Sequence, residues 1–218
     1  MANKNFAVIL SGCGHQDGAE IHESTLTLWA IHRHGADYHC FAPNIPQYHV
    51  LNHITGEEMN DKRNVLIESA RIARGKISEL DTFSADKFDA LILPGGFGAA
   101  KNLSDYAFNG ADCLVNESVA KAITDMHAAG KPIGALCISP VLLARIFQKI
   151  KLTVGQDPTT ITNIEEMGAT HERTDEGEIV VDTDNRIVTT PCYMLDSRVD
   201  KIGEGADRLV AALLKMVK

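Results

Sequence analysis

An α/β fold with a mainly parallel sheet, covered by helices on both faces, is what this sequence predicts. Two observations carry that reading. Short apolar runs of strand length alternate along the chain with stretches of helical spacing. Several of those runs, Phe6-Ala-Val-Ile-Leu10 and Asp89-Ala-Leu-Ile-Leu93 among them, have the character of buried strands closed by Gly or Pro. At 218 residues and 44% hydrophobic content the chain can bury one good core and is short for two. A single domain over residues 1–218 is expected, without repeats or linkers.

The elements follow in order. Phe6 to Leu10 is the first strand, and Ser11-Gly12 ends it. A helix runs from about Ala19 to Gly35, with Ile21, Leu26 and Leu28 on its apolar face. Tyr38 to Ala42 is the second strand, stopped by Pro43. Residues 44–60 are weakly patterned, a loop or hairpin near the sheet edge. Val65 to Ala73 is helical by its spacing and ends at Gly75. After the strand at residues 89–93, Phe97 to Asn116 is read as a polar, irregular excursion over the sheet. A helix over Ser118 to Ala129, closed by Gly130, leads to the strand Pro132-Ile-Gly-Ala-Leu-Cys137. Pro140 to Gln148 starts a helix at once, Leu152 to Gly155 is a short strand, and Thr159 to Met167 is a helix. Glu178 to Asp182 and Arg186 to Thr190 flank Thr183-Asp-Asn as a hairpin. Asp200 to Val217 is the closing helix.

Composition removes several functions. The net charge of −8 and the lack of a Lys/Arg-rich run argue against nucleic acid and anionic membrane as partners. The apolar run at residues 6–10 is too short for a signal-peptide core, so the expectation is a cytoplasmic protein. Five scattered cysteines without a C-x-x-C pair fit neither a disulfide framework nor a zinc ribbon. Neither a metal nor another cofactor is expected. The nine histidines show no ligand spacing, and His32 and His34 face different sides of a helix end.

Three local signals carry chemistry. Cys137 stands between a buried strand and a helix, where functional groups gather in open α/β sheets. Unpaired N–H groups and a helix N-terminus at such a junction favour thiolate over thiol. The same cysteine reads equally as a buried core thiol. Pro94-Gly-Gly-Phe-Gly98 ends another strand and offers backbone N–H groups to an oxyanion, or is simply a tight turn. Ser11-Gly-Cys-Gly-His-Gln-Asp-Gly18 fails as a dinucleotide fingerprint, because Asp17 stands where Gly is needed. Glu20 and Glu23, early in the following helix, read first as capping and dipole partners.

Together these signals resemble the PfpI/ElbB branch of the class I glutamine-amidotransferase-like superfamily, and within it the ElbB/ES-one family. The carrying motifs are Val8-Ile-Leu-Ser-Gly-Cys-Gly14, Asp17-Gly-Ala-Glu-Ile-His-Glu23 and Cys40-Phe-Ala-Pro43. Asn52-His-Ile-Thr-Gly-Glu57, Arg63-Asn-Val-Leu-Ile-Glu68, Leu93-Pro-Gly-Gly-Phe-Gly-Ala-Ala-Lys-Asn-Leu103 and Val188-Thr-Thr-Pro191 extend them over nearly the whole chain. The resemblance implies a flavodoxin-like three-layer sandwich with Cys137 as nucleophile at a strained elbow. It also implies Glu23 as the carboxylate that reaches the thiol, and the backbone N–H groups of Gly96 and Ile138 as oxyanion donors. A homodimer and a name tied to isoprenoid metabolism come with it.

Departures narrow the activity. PfpI-type peptidases place a histidine directly after the cysteine, where this chain has Ile138. Glutaminases use a later His-x-Glu pair, and His171-Glu172 is adjacent and precedes the final hairpin. His15 and His22 are the histidines expected nearest the site. What the resemblance implies is a weak, glutathione-independent glyoxalase-type lyase acting on small dicarbonyls, with a non-catalytic metabolite-binding or redox-sensing role as its rival.

Overall fold

A computed structural model describes residues 3–217. Seven strands form one sheet: β1 (Asn5–Ile9), β2 (Asp37–Ala42), β3 (Ile77–Glu79), β4 (Ala90–Leu93), β5 (Ile133–Leu136), β8 (Val180–Asp182) and β9 (Ile187–Thr190). Their order is β3-β2-β1-β4-β5-β9-β8, and every pairing is parallel except β8 with β9. A separate parallel pair joins β6 (Lys151–Leu152) to β7 (Thr170–His171). The mostly parallel, flavodoxin-like α/β architecture is therefore as the sequence indicates.

Side chains alternate between two cores. Ala7, Ile9, Leu91, Leu93, Ile133 and Ala135 enter one apolar cluster, while Phe6, Val8, Leu10, Ile92 and Leu136 enter the other. With both faces covered, successive positions of the central strands β1 from Phe6, β4 and β5 carry no polar side chain, which is why these strands read as continuous runs. The first core is closed by α5 (Glu117–Ala128), α6 (Pro140–Ile146) and α7 (Pro158–Glu166). The second is closed by α1 (Ile21–Arg33) and α8 (Val199–Met216), which also pack on each other. At Gly134 a Cβ would come within 2.8 Å of Leu209 and 2.9 Å of Leu213, so its missing side chain lets α8 approach the sheet. Among the described residues, no helix is long and apolar enough to cross a membrane.

Three expectations need correction. The buried face of α1 carries Glu23, Ser24, Thr27, Leu28, Ala30 and Ile31, while Ile21 is exposed and Leu26 only half-buried. Hydrophobicity placed the helix in the wrong rotation because its core-facing side carries the polar groups Glu23, Ser24 and Thr27, of which Glu23 accepts the Gly95 N–H and the Ser24 hydroxyl donates to the Glu20 carbonyl. Residues 97–116 are no polar excursion. They hold α3 (Phe97–Lys101) and α4 (Tyr106–Asn109), and they bury Leu103, Tyr106 and Cys113 in the first core. Beyond the helix at residues 65–73, which is α2 (Val65–Ile72), the edge strand β3 was missed: three half-buried residues give no periodicity to read. Residues 44–60 form no hairpin strands, only isolated bridges such as Leu51 with Glu58.

Candidate active site

The C-terminal ends of β1, β4, β5 and β9 converge on one thiol. Cys137 follows β5 directly and adopts φ 60°, an unusual conformation for a residue with a side chain. Its backbone N–H donates to the Thr190 carbonyl at 2.9 Å, which ties the elbow to β9. Ser139 Oγ donates to the Pro94 carbonyl at 2.7 Å, which ties it to the end of β4. The side chain is 7% exposed.

The glycines after β4 make room for it. A Cβ on Gly95 would overlap that of Cys137 and lie 2.7 Å from Glu23 Oε2. Gly96 has φ 95°, and a Cβ there would overlap Glu20 N and Gly18 O. Only glycine serves at either position. This close approach lets the N–H groups of Gly96 and Ile138 donate toward the Cys137 sulfur. The two helices that begin here, α3 and α6, have no side-chain cap, but their first N–H groups are taken by backbone carbonyls, Phe97 by His15 at 2.7 Å, Gly98 by Gly18 at 2.8 Å and Val141 by Ile138 at 3.1 Å, so the donors left to the sulfur are those of Gly96 and Ile138.

Glu23 lies on the core side of α1 and is fully buried. Its carboxylate accepts the Gly95 N–H at 2.9 Å and the Tyr193 N–H at 3.3 Å, and it is in hydrogen-bond contact with the Cys137 thiol. Burial, reinforced by the nearby Glu20 carboxylate, pushes the Glu23 carboxyl up to about 8, against those donors. The Cys137 thiol is also held well above its ordinary value, first by burial and then by the charge of Glu23. The expected stabilisation of thiolate is thus reversed. Donors from Gly96 and Ile138 act in the right direction, but desolvation is larger. Both members of the pair are thus shifted toward their protonated forms.

A cavity of about 550 Å³ opens above the sulfur, with Cys137, Ile138 and Gly96 at its floor. His15 lines it, as the sequence reading expected, and packs edge-on against His53 at a centroid distance of 5.1 Å. His22 does not line it. Its Nδ1 lies 2.8 Å from the Tyr193 hydroxyl, and Tyr193 is the residue that borders the cavity. Glu20 caps α1 by accepting the Glu23 N–H at 2.7 Å, as its position suggested, and also borders the cavity.

Sequence reasoning missed Tyr193 and its neighbour Cys192, which is buried with φ 44°. A signal existed: both follow Thr190 at the end of β9, the strand paired with β5, and strand ends converge on such sites. Cys40 and Cys113 behave as core residues, burial pushing them up to about 12 and about 11, while Cys13 is half-buried in the loop after β1. Among the described residues no group of three or more His, Cys, Asp or Glu could hold a metal ion.

Comparison with known proteins agrees with this fold. The sequence pattern of the DJ-1/PfpI family matches residues 17–193. The rat protein named "ES1 protein homolog, mitochondrial" is 44% identical over 96% of this chain and 83% of its own length. A crystal structure from Ehrlichia chaffeensis, named an isoprenoid biosynthesis protein with amidotransferase-like domain, superimposes with a TM-score of 0.90. It is 36% identical and covers 97% of this chain and 99% of that one. Glyoxalase III from Candida albicans shares the fold at a TM-score of 0.65 and 13% identity, over 99% of this chain and 98% of that one. The expected cytoplasmic location is corrected by these names: the rat and other animal relatives are named mitochondrial proteins. The short apolar run at residues 6–10 was no guide to compartment.

Proposed function

The chain belongs to the DJ-1/PfpI family, and from that premise we propose that it converts small 2-oxoaldehydes such as glyoxal and methylglyoxal to 2-hydroxy acids through Cys137. One observation carries the reading. A buried carboxyl with its pKa near 8 is in hydrogen-bond contact with a buried thiol that opens onto a cavity. A carboxyl tuned close to neutrality can both take and return a proton, which is what moving hydrogen between adjacent carbons requires.

The atoms balance without a redox partner. The reactive form of the pair has lost one of its two protons. Sulfur attacks the aldehyde carbon, the C–S bond forms, and the thiol proton passes by way of Glu23 to the aldehyde oxygen, giving a hemithioacetal. The N–H groups of Gly96 and Ile138, which donate toward the sulfur in the resting site, are the donors assigned to that oxygen as it gains charge. Glu23 then removes the proton from the former aldehyde carbon. Glu23 passes that proton to the neighbouring oxygen, completing the enediol, then takes the proton of the first hydroxyl and delivers it to the neighbouring carbon, leaving a thioester beside a new hydroxyl-bearing carbon. Water cleaves the C–S bond, releases the 2-hydroxy acid and restores the thiol.

A redox-sensing role is less well supported, because sensing thiols react as readily formed thiolates and burial opposes that here. The test follows glycolate and lactate formed from glyoxal and methylglyoxal. Wild-type protein should form both, Glu23→Gln should lose on the order of 10²–10⁴-fold in rate, and Cys137→Ser should form neither above background. Folded wild type that makes no hydroxy acid refutes the reading.

A further inference from the structure

The cavity above Cys137 is much larger than the reaction needs. About 550 Å³ falls in the range that accommodates a drug-sized ligand, whereas glyoxal and methylglyoxal would occupy only its floor. What surrounds the excess space is chemically one-sided. Phe97, Phe108, Tyr106 and Met194 supply aromatic and apolar wall, and the charged side chains bordering it are the carboxylates Glu20 and Asp157. Neither lysine nor arginine is among the residues that line it.

Helix N-termini do not offset this bias. The N-terminus of α1 is capped by Glu20, whose carboxylate accepts the Glu23 N–H. That of α7 is capped by Asp157, whose Oδ2 accepts the Thr160 N–H at 2.8 Å and the Thr160 hydroxyl at 2.7 Å. Two places where an incoming carboxylate or phosphate would have found donors are thus filled by carboxylates of the chain itself. Lys101 stands beside the wall, its ammonium 5.0 Å from the Phe97 ring centre, but it is committed to the Gln16 carbonyl at 3.1 Å. The net charge of −8 adds a long-range field of the same sign.

At the mouth, Phe97 and Phe108 are about half exposed, and Phe108 packs on the exposed Tyr48 with ring centres 4.5 Å apart. Aromatic faces around a carboxylate-bearing cavity form a setting that favours a cation on an apolar stem.

Resting on the aldehyde chemistry assigned above to Cys137, we propose that the substrate is a 2-oxoaldehyde whose far end is an apolar group carrying positive charge. The reacting aldehyde reaches the sulfur, the apolar stem fills the aromatic walls, and the cation lies toward Asp157 at the start of α7, while Glu20, held on the Glu23 N–H at 2.7 Å, adds negative charge from the reacting end. Anionic aldehydes are rejected.

Three aryl substrates of matched shape test this: phenylglyoxal and its para-trimethylammonium and para-carboxylate derivatives, each followed as the corresponding mandelate. The ammonium compound should exceed the carboxylate in kcat/KM by at least about tenfold, with phenylglyoxal between them. Asp157→Asn, which keeps a good cap, should shrink that ratio several-fold. A second arm needs no turnover: calorimetry of Cys137→Ser with the para-trimethylammonium and para-carboxylate acetophenones, where the ammonium compound should bind at least about tenfold tighter. Equal handling of the two charges in both arms, or binding of neither with no turnover, overturns the proposal. Charge-selective binding without turnover by wild type would retain the selectivity and refute the aldehyde chemistry instead.

Discussion

Two adjacent strands of the sheet each end in a strained cysteine. Cys137 follows β5 with φ 60°, and Cys192 lies just past β9 with φ 44°. Both side chains are almost fully buried, and burial raises both thiols well above their ordinary value. The charge of Glu23 acts on each. The two differ in what else reaches the sulfur. Cys137 has the N–H groups of Gly96 and Ile138 and the cavity in front of it, whereas the hydrogen bond that lowers the Cys192 thiol comes from the Thr190 side chain. Strain and burial are therefore common to both, and what sets Cys137 apart is the glycine turn after β4 and the cavity in front of it, the two features on which the proposed chemistry rests.

The sharpest way to break that comparison is to remove each sulfur in turn. Cys137→Ser should reduce hydroxy-acid formation by at least about 10³-fold, since the step that depends on the nucleophile disappears. Cys192→Ala keeps a small apolar side chain at the same backbone position. It should leave the rate within about threefold while lowering stability by roughly 1 kcal/mol. Comparable losses from both variants, measured on proteins with matched circular dichroism, would mean that the two cysteines act as one unit.

A smaller but more specific effect concerns pH. The pair at Cys137 must lose one proton to react, so kcat/KM should rise with pH through about 8, the value to which Glu23 is pushed. Stability should move the opposite way. The folded carboxyl holds its proton to about 8 against an ordinary value of 4.5, so the contribution of the protonated form is complete below about 4.5. It is lost as pH rises through about 8. The melting temperature of wild type, relative to that of Glu23→Gln, should therefore fall across this window and level off above it. A difference between the two proteins that stays flat from pH 5 to 9 would show that Glu23 ionises normally.

Much of this site was legible from residue order alone, and what was not has identifiable causes. The strands announced themselves because both faces of the sheet are covered, as at Phe6 to Ile9 and Ala90 to Leu93. Residue order marked the Cys137 junction and the Gly95-Gly96 turn as candidates, with a core thiol and a plain tight turn as equal readings, and the family resemblance chose between them. Spacing could only suggest that Glu23 caps a helix; its burial against Cys137 depends on the rotation of α1, and polar core-facing residues hid that rotation. The raised thiol was invisible for the same reason: local N–H donors can be inferred from a motif, but desolvation is set by packing from elements far apart in the chain. Tyr193 stayed unread because its contact with Glu23 spans 170 positions.

Tyr193 gives the mildest test of the comparison, because it leaves both sulfurs in place. Its N–H holds one Glu23 oxygen and its ring borders the cavity, while its hydroxyl is 2.8 Å from His22 Nδ1. Removing that hydroxyl in Tyr193→Phe preserves the backbone bond to Glu23 and frees the ring to swing. The expected result is a rise in KM of about threefold to tenfold while turnover is little changed, the signature of lost positioning rather than lost chemistry. His22→Gln should reproduce the effect in part, since the imidazole acts only through the tyrosine. Turnover slowed by about a hundredfold or more would instead assign the hydroxyl a proton-transfer role. In that case the pairing with His22 would supply what Ile138 cannot, and β9 would contribute chemistry to the elbow as well as support.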